Sequence, residues 1–158
     1  MSNTKNPYKS RPFGVSVLIF LQIFLGLNGL FGGGAFILAP DGHLIKMPFS
    51  HLKNTPFSSF RIPGLLLFVF LGFYPLLVAY CLSRKPAWRW PDALNPFRRI
   101  HWSWAASLSV GFTAVIWIIV QIQWIPVGFL HLFILCWGIL IILFTLFPNV
   151  RRYYLNKA

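Results

Sequence analysis

The chain has 158 residues, 57% hydrophobic and only 10% charged, with a mean hydropathy of +0.68 and a formal net charge of +12. A soluble domain carries roughly 25% charged residues and could not hide this much apolar surface, so the composition implies lipid as the solvent. A basic excess of this size would suit a nucleic-acid-binding domain, but here the basic residues stand between long apolar runs rather than on a polar face, which argues against nucleic acid as a partner and reads better as topology signals and headgroup contacts.

Lys5, Lys9 and Arg11 precede the first apolar run, 14–38, which is interrupted only by Ser16, Gln22 and Asn28. Its start has the character of a signal peptide. The run is too long for such a segment and no A-x-A site follows, so it reads as a retained membrane span. Gly26, Gly29 and Gly33 share one helical stripe, and Gln22 extends that stripe by a turn. Small residues in such a stripe let helices approach closely in lipid.

The connection 39–61 opens on a turn signal, Pro40-Asp41-Gly42. Leu44, Ile45, Met47, Phe49, Leu52, Phe57 and Phe60 make it too apolar for a free loop. It should fold back onto the mouth of the bundle or dip into the headgroups, with a short helix near 47–53. Ser58 or Ser59 is placed to cap the next span. Asp41, His43, His51 and Arg61 lie in this connection, and His131 begins the last span on the same side. Three imidazoles and a carboxylate would suit zinc or copper, though the spacing matches no short ligand motif. The plainer reading is interfacial histidines, with Asp41 capping its turn or pairing with Arg61.

The second run, 62–82, carries Pro63 in its first turn, where a missing N–H does no harm, and Pro75 inside, which should kink the helix near Leu71. The connection 83–103 carries Arg84, Lys85, Arg89, Arg98 and Arg99, with His101 as a boundary residue. The third run is 104–123. Ser103, Ser107, Gly111 and Ala114 form a second small-residue stripe, and Gln121 returns to it after five helical turns. The expectation is that the first and third spans pack through these stripes and that Gln22 and Gln121 find partners inside the bundle, as buried amides must. A tight uncharged turn, Trp124-Ile125-Pro126, leads to the fourth run, 127–147, and the tail carries Arg151, Arg152 and Lys157.

Each run is about 20 residues or longer, enough for a hydrocarbon core of about 30 Å, and none contains a charge. Cys81 and Cys136 lie at depths too different for a disulfide, which needs Cα atoms within about 7 Å; both read as buried small apolar residues. The N-terminus, second connection and tail carry eleven Lys and Arg, against three (Lys46, Lys53, Arg61) in the other two connections. Positive loops stay inside, so both termini are expected in the cytoplasm, with anionic headgroups beside the inner loops. Trp88, Trp90, Trp102 and Trp104 with Tyr153 and Tyr154 mark an inner aromatic belt, and Trp124 marks the outer boundary. The expected fold is an all-α four-helix transmembrane bundle forming one domain over 1–158, with a partly ordered outer loop.

The segments Gly32-Gly33-Gly34, Pro40-Asp41-Gly42, Met47-Pro48, Thr55-Pro56-Phe57 and Ile62-Pro63-Gly64 carry a resemblance. It continues in His101-Trp102-Ser103-Trp104, in 117–121 and in the closing 147–152. Over nearly the whole chain they resemble an uncharacterised family of small bacterial four-span integral membrane proteins. The resemblance implies a multi-pass protein of the bacterial inner membrane, and no site residues.

Catalytic signatures are missing. No Walker loop, dinucleotide fingerprint, H-E-x-x-H or G-x-S-x-G occurs, and no cofactor is indicated. No charged residue at membrane depth supports ion coupling. The missing C-x-x-C argues against a thiol oxidase, and two acidic residues, Asp41 and Asp92, leave no room for a carboxylate pair. The leading expectation is a non-enzymatic component binding a lipid, an apolar ligand or a larger membrane partner through its outer mouth. An oligomeric transporter or channel subunit lined by Gln22, Asn28 and Gln121 comes next, and a metal-dependent membrane enzyme using His43, His51 and His131 last.

Overall fold

The computed structural model describes residues 11–53 and 55–155; Lys5, Lys9 and Lys157 lie outside the described residues. Four helices are long and apolar enough to cross a membrane. The first span is α1, Phe13–Leu38. The second, Arg61–Arg84, is built of α2 (Arg61–Leu67), a π-helical segment (Phe68–Phe73) and α3 (Tyr74–Arg84). A short helix α4 (Arg89–Ala93) precedes the third span, α5 (Trp102–Gln121). The fourth is α6 (Phe129–Leu146), and α7 (Pro148–Tyr153) follows. Among the described residues there is no strand, only an isolated bridge between Ile100 and Leu155. Apolar side chains fill the interior, where Val15, Leu18, Leu82 and Ile141 are fully buried, and also cover the outside, where Phe31 is 75% and Phe129 83% exposed. Helices apolar all round belong in lipid, and the molecule is a multi-pass membrane protein.

Around the bundle, α1 packs on the second span, the second span on α5, α5 on α6, and α6 on α1. The expected close pairing of the first and third spans does not occur. The stripe Gly26, Gly29 and Gly33 lies instead against the second span. A methyl group on Gly33 would sit 2.5 Å from the Phe68 nitrogen, and one on Gly29 would collide with the Leu71 carbonyl. Gly64 and Gly72 of the second span interlock with Phe36 and Leu30 of α1. Gly111 and Ala114 of α5 pair with Gly138 of α6. Close approach needs small residues on both faces, and the matching faces belong to helices adjacent in sequence.

The distortion expected near Leu71 takes the form of a π-helical segment. The helix widens into π turns over Phe68–Phe73, with the Tyr74 N–H reaching back to the Val69 carbonyl. Proline removes the N–H that an α-helix would deliver to the Leu71 carbonyl and crowds that carbonyl; wider turns relieve the clash. Beyond this segment α3 packs on α5, whereas α2 draws away from it.

One end of the bundle is rich in arginine; the other carries the long loop. At the arginine-rich end the tail docks across the connection between the second and third spans. The Tyr154 hydroxyl, fully buried, donates to the Leu82 carbonyl at 2.7 Å, and the His101 N–H donates to the Tyr154 carbonyl at 2.8 Å. Lys85, in a left-handed conformation at φ 49°, caps α3, donates to the Tyr153 carbonyl at 2.9 Å and lies 3.4 Å from the centre of the Tyr153 ring. Burial and the nearby Arg11 guanidinium lower the Lys85 ammonium pKa, and burial raises that of the Tyr154 hydroxyl. Trp102 and Trp104 are buried too. The Trp104 indole donates to the Thr145 carbonyl and the Trp102 indole to the Pro86 carbonyl. These residues, with Tyr154, belong to the protein interior rather than to an aromatic belt; Trp90, 87% exposed, faces outward. Cys81 is buried as expected, but Cys136 is exposed on the outer surface of α6.

At the loop end, residues 39–53 and 55–60 fold back on the bundle through two 3₁₀ turns, His43–Ile45 and Phe49–Leu52, the second lying where a short helix was expected. Gly42 makes the first bend with φ 82°. Leu52 and Phe60 are buried against Phe36, whose ring stacks on Phe60 at 4.8 Å. Neither Ser58 nor Ser59 caps the second span; Phe60 occupies the N-cap without a side-chain bond.

Candidate functional site

The loop end encloses a cavity of about 360 Å³. Its walls come from the loop-end half of α1 (Phe24, Asn28, Gly32), from Trp117 and Gln121 of α5, and from His131, Ile134 and Trp137 of α6; Ile45 and Met47 of the folded loop complete the lining. A second cavity of about 200 Å³ lies between α2 and α5, where those helices part, under Leu52, Thr55 and Phe57. The two share Phe36, Met47, Leu67, Trp117, Gln121 and Ile125, so they form adjoining chambers of one vestibule.

The aromatic wall is held from within. Trp137 contacts Phe24 at 4.4 Å and Phe133 at 5.2 Å between ring centres, and its indole donates to the Leu21 carbonyl at 2.9 Å. That bond fixes α6 to α1 just below the vestibule. A tryptophan in the middle of an apolar run must find an acceptor inside the protein, because lipid offers none. Trp137 carried that signal in the sequence, and reading tryptophan only as a boundary marker missed it.

Of the three amides expected to face the interior, Asn28 and Gln121 reach the vestibule. Asn28 is exposed and donates to the Phe24 carbonyl of its own helix at 2.8 Å, while Gln121 is half-buried between the two chambers. Gln22 lies apart, fully buried nearer the arginine-rich end. Its Nε2 donates to the Ser107 hydroxyl at 2.9 Å, which stands 2.9 Å from the Thr145 hydroxyl; Thr145 donates to the Ile141 carbonyl at 2.7 Å. This chain ties α1 to α5 and α6. The Gln22 Oε1 has no partner among the described residues.

The loop residues do not converge. His43 Nδ1 is 2.7 Å from Asp41 Oδ1, and both side chains are more than 60% exposed. The Asp41 carboxylate also accepts the His43 backbone N–H, so it closes its own turn and does not pair with Arg61. Hydrogen bonds from His43 lower the Asp41 pKa. His131 caps α6, accepting the Gly128 N–H at 3.1 Å, and His51 sits in the second 3₁₀ turn. Among the described residues no three His, Cys, Asp or Glu side chains gather in a metal-holding group.

Compared with protein-family models, curated proteins and solved structures, the chain matches none.

Proposed function

We propose that this protein is a non-enzymatic membrane component that holds a lipid chain or similar apolar molecule in the vestibule at its loop end. The observation behind this reading is the 360 Å³ chamber, walled by aromatic and aliphatic side chains with Asn28, Gln121 and His131 as its polar points. Small-molecule sites are concave, mostly apolar clefts of about 300–1,000 Å³ with a few placed polar groups. The folded loop shields the chamber, which keeps it distinct from the open lipid surface.

The setting follows the charge distribution. The eleven basic residues of the N-terminal segment, the second connection and the tail support a cytoplasmic location for both termini and for the arginine-rich end, with anionic headgroups around it. The resemblance noted in the sequence supports a bacterial inner membrane. Assembly with a second copy or a larger partner would use α6. Only 17% of its apolar window is buried, against 39% in each other span.

Asn28 and Gln121 at the vestibule wall also favour a second reading, an oligomeric transporter or channel subunit. Such a path would have to pass Leu25, Leu71 and Ile118, which line the vestibule, and Leu21 beside Gln22, all of them buried.

The test is binding of a fluorescent fatty acid to the full chain in detergent micelles, with Ile134→Trp filling the chamber. Saturable binding near one per chain, weakened at least about tenfold by the substitution, is expected for a hydrophobic site lost to occupancy. Unsaturable uptake equal to that of empty micelles, or binding indifferent to Ile134→Trp, would overturn the reading.

A further inference from the structure

A second pair of cavities lies at the arginine-rich end, away from the vestibule. The first is a groove of about 490 Å³ between α3 and α5, lined by Tyr74, Leu77, Val78, Leu108 and Phe112 and roofed by Leu94 and Phe97. It follows α3 from Tyr74 to Cys81, about 10 Å of helix. The second is a cleft of about 560 Å³ lined by Arg98, Arg99, Arg151 and Leu155. Pro96 and Phe97 line both, so the apolar groove runs directly into the cationic cleft. Among the described residues no acidic side chain lines either one.

The junction is built rather than loose. The buried Asn95 side chain donates to the Phe97 and Ile100 carbonyls at 3.1 and 2.8 Å and accepts the Phe97 N–H at 3.1 Å, which pins the turn carrying the arginines. Phe97 stands edge-on to Trp104 at 5.3 Å. The Ile100–Leu155 bridge and the His101 to Tyr154 bond bring the tail alongside, so Arg151 enters the same cleft as Arg99. Arginines set in fixed backbone at the edge of a greasy groove suit a ligand with a phosphate at one end and hydrocarbon at the other. Guanidinium binds phosphate bidentately and is more weakly hydrated than ammonium.

We propose that this junction holds one anionic phospholipid, its phosphate between Arg99 and Arg151 in the cleft and its acyl chains along the groove between α3 and α5. The site deepens the headgroup contact placed at this end above, and rests on that reading only in needing the cleft to lie at a bilayer surface. Both leaflets of a nanodisc contain every lipid supplied, so the outcome does not depend on which side faces the cytoplasm.

The experiment is native mass spectrometry of the full chain released from nanodiscs of phosphatidylcholine with phosphatidylglycerol. An arginine at a leaflet surface favours anionic lipid by about fivefold, so Arg99 and Arg151 together predict roughly a 25-fold preference for one retained phosphatidylglycerol. Arg99→Gln with Arg151→Gln should abolish the preference, and Arg99→Lys with Arg151→Lys should keep only part of it, because an ammonium retains the charge but not the bidentate grip. Wild type alone also decides the matter if the glutamine variant fails to fold, because a cationic lipid supplied instead should not be retained. Equal retention of phosphatidylcholine, an unchanged preference in the glutamine variant, or displacement by chainless glycerol phosphate at equal concentration would overturn the proposal. A lipid held in the vestibule would respond to Ile134→Trp and not to the arginine substitutions, so the two readings fail separately.

Discussion

With Gln22 donating to Ser107, the three side chains can be satisfied in only one direction: the Ser107 proton goes to Thr145 and the Thr145 proton to the Ile141 carbonyl. Ser107 sits in the middle, and its loss would strand the whole amide of a buried glutamine whose Oε1 already lacks a partner. Ser107→Ala should therefore cost about 1–3 kcal/mol. Gln22→Leu, which removes the unpartnered oxygen and keeps the volume, should cost less than about 1 kcal/mol, near the value typical of hydrogen bonds in membrane interiors. Reversible unfolding in mixed micelles measures both, and the opposite ranking would refute the assigned direction. The burial of Gln22 was legible because an amide inside an apolar run has nowhere else to go. Its partners were not, because a hydroxyl can always satisfy itself on its own helix, as Thr145 partly does. His101 behaves similarly. It reads as a boundary residue, yet its ring accepts the Ser103 N–H and caps α5. Burial, and then Lys85, lower its pKa from the ordinary 6.5. The stabilisation from a lowered imidazole pKa is complete above 6.5 and is lost as pH falls through the lower folded value. The unfolding midpoint should fall on going from pH 7 to pH 5 by more in wild type than in His101→Asn, which keeps a cap that does not titrate. Parallel curves would remove His101 from the account.

At the scale of elements, the glycine stripe of α1 was legible from spacing alone, and its partner was not. Gly64 and Gly72 are eight residues apart, which on a regular α-helix places them about 80° from one another around the axis. The π turns between them take more residues per revolution and bring both onto the α1 face, where each meets α1 closely. A 3.6-residue period cannot reveal that face, and the small residues of α5 then offered themselves as a false match. Within one stretch of α1 the consequences should diverge. Gly29→Ala drives a methyl into the Leu71 carbonyl and should cost about 1–3 kcal/mol, the usual penalty of overpacking. Gly34→Ala meets nothing closer than 3.9 Å and should be neutral or gain up to about 1 kcal/mol from helix propensity. Equal effects at the two sites would mean that the two spans are not in close contact.

For the whole molecule, length, hydropathy and the placement of arginines sufficed for four spans and an apolar loop folded over one end, because each follows from the chemistry of lipid alone. The vestibule was not legible. It depends on where α2 and α5 part, which follows from Pro75 and the π turns, and on Trp117 and Trp137 turning inward. Sidedness is open to a direct check in a Cys81→Ala, Cys136→Ala background. His43→Cys should react with a membrane-impermeant maleimide on intact cells, and Arg89→Cys only after permeabilisation; the reverse pattern would invert the topology. The docking of the tail carries a further consequence, one of timing. The Leu82 carbonyl, the Lys85 ammonium and the His101 N–H all wait for Tyr153 and Tyr154, which leave the ribosome after every span has been made. Until then the arch between the second and third spans lacks its keystone. A nascent chain that stalls after three crossings therefore shows membrane proteases an unlatched loop, whereas a finished one does not.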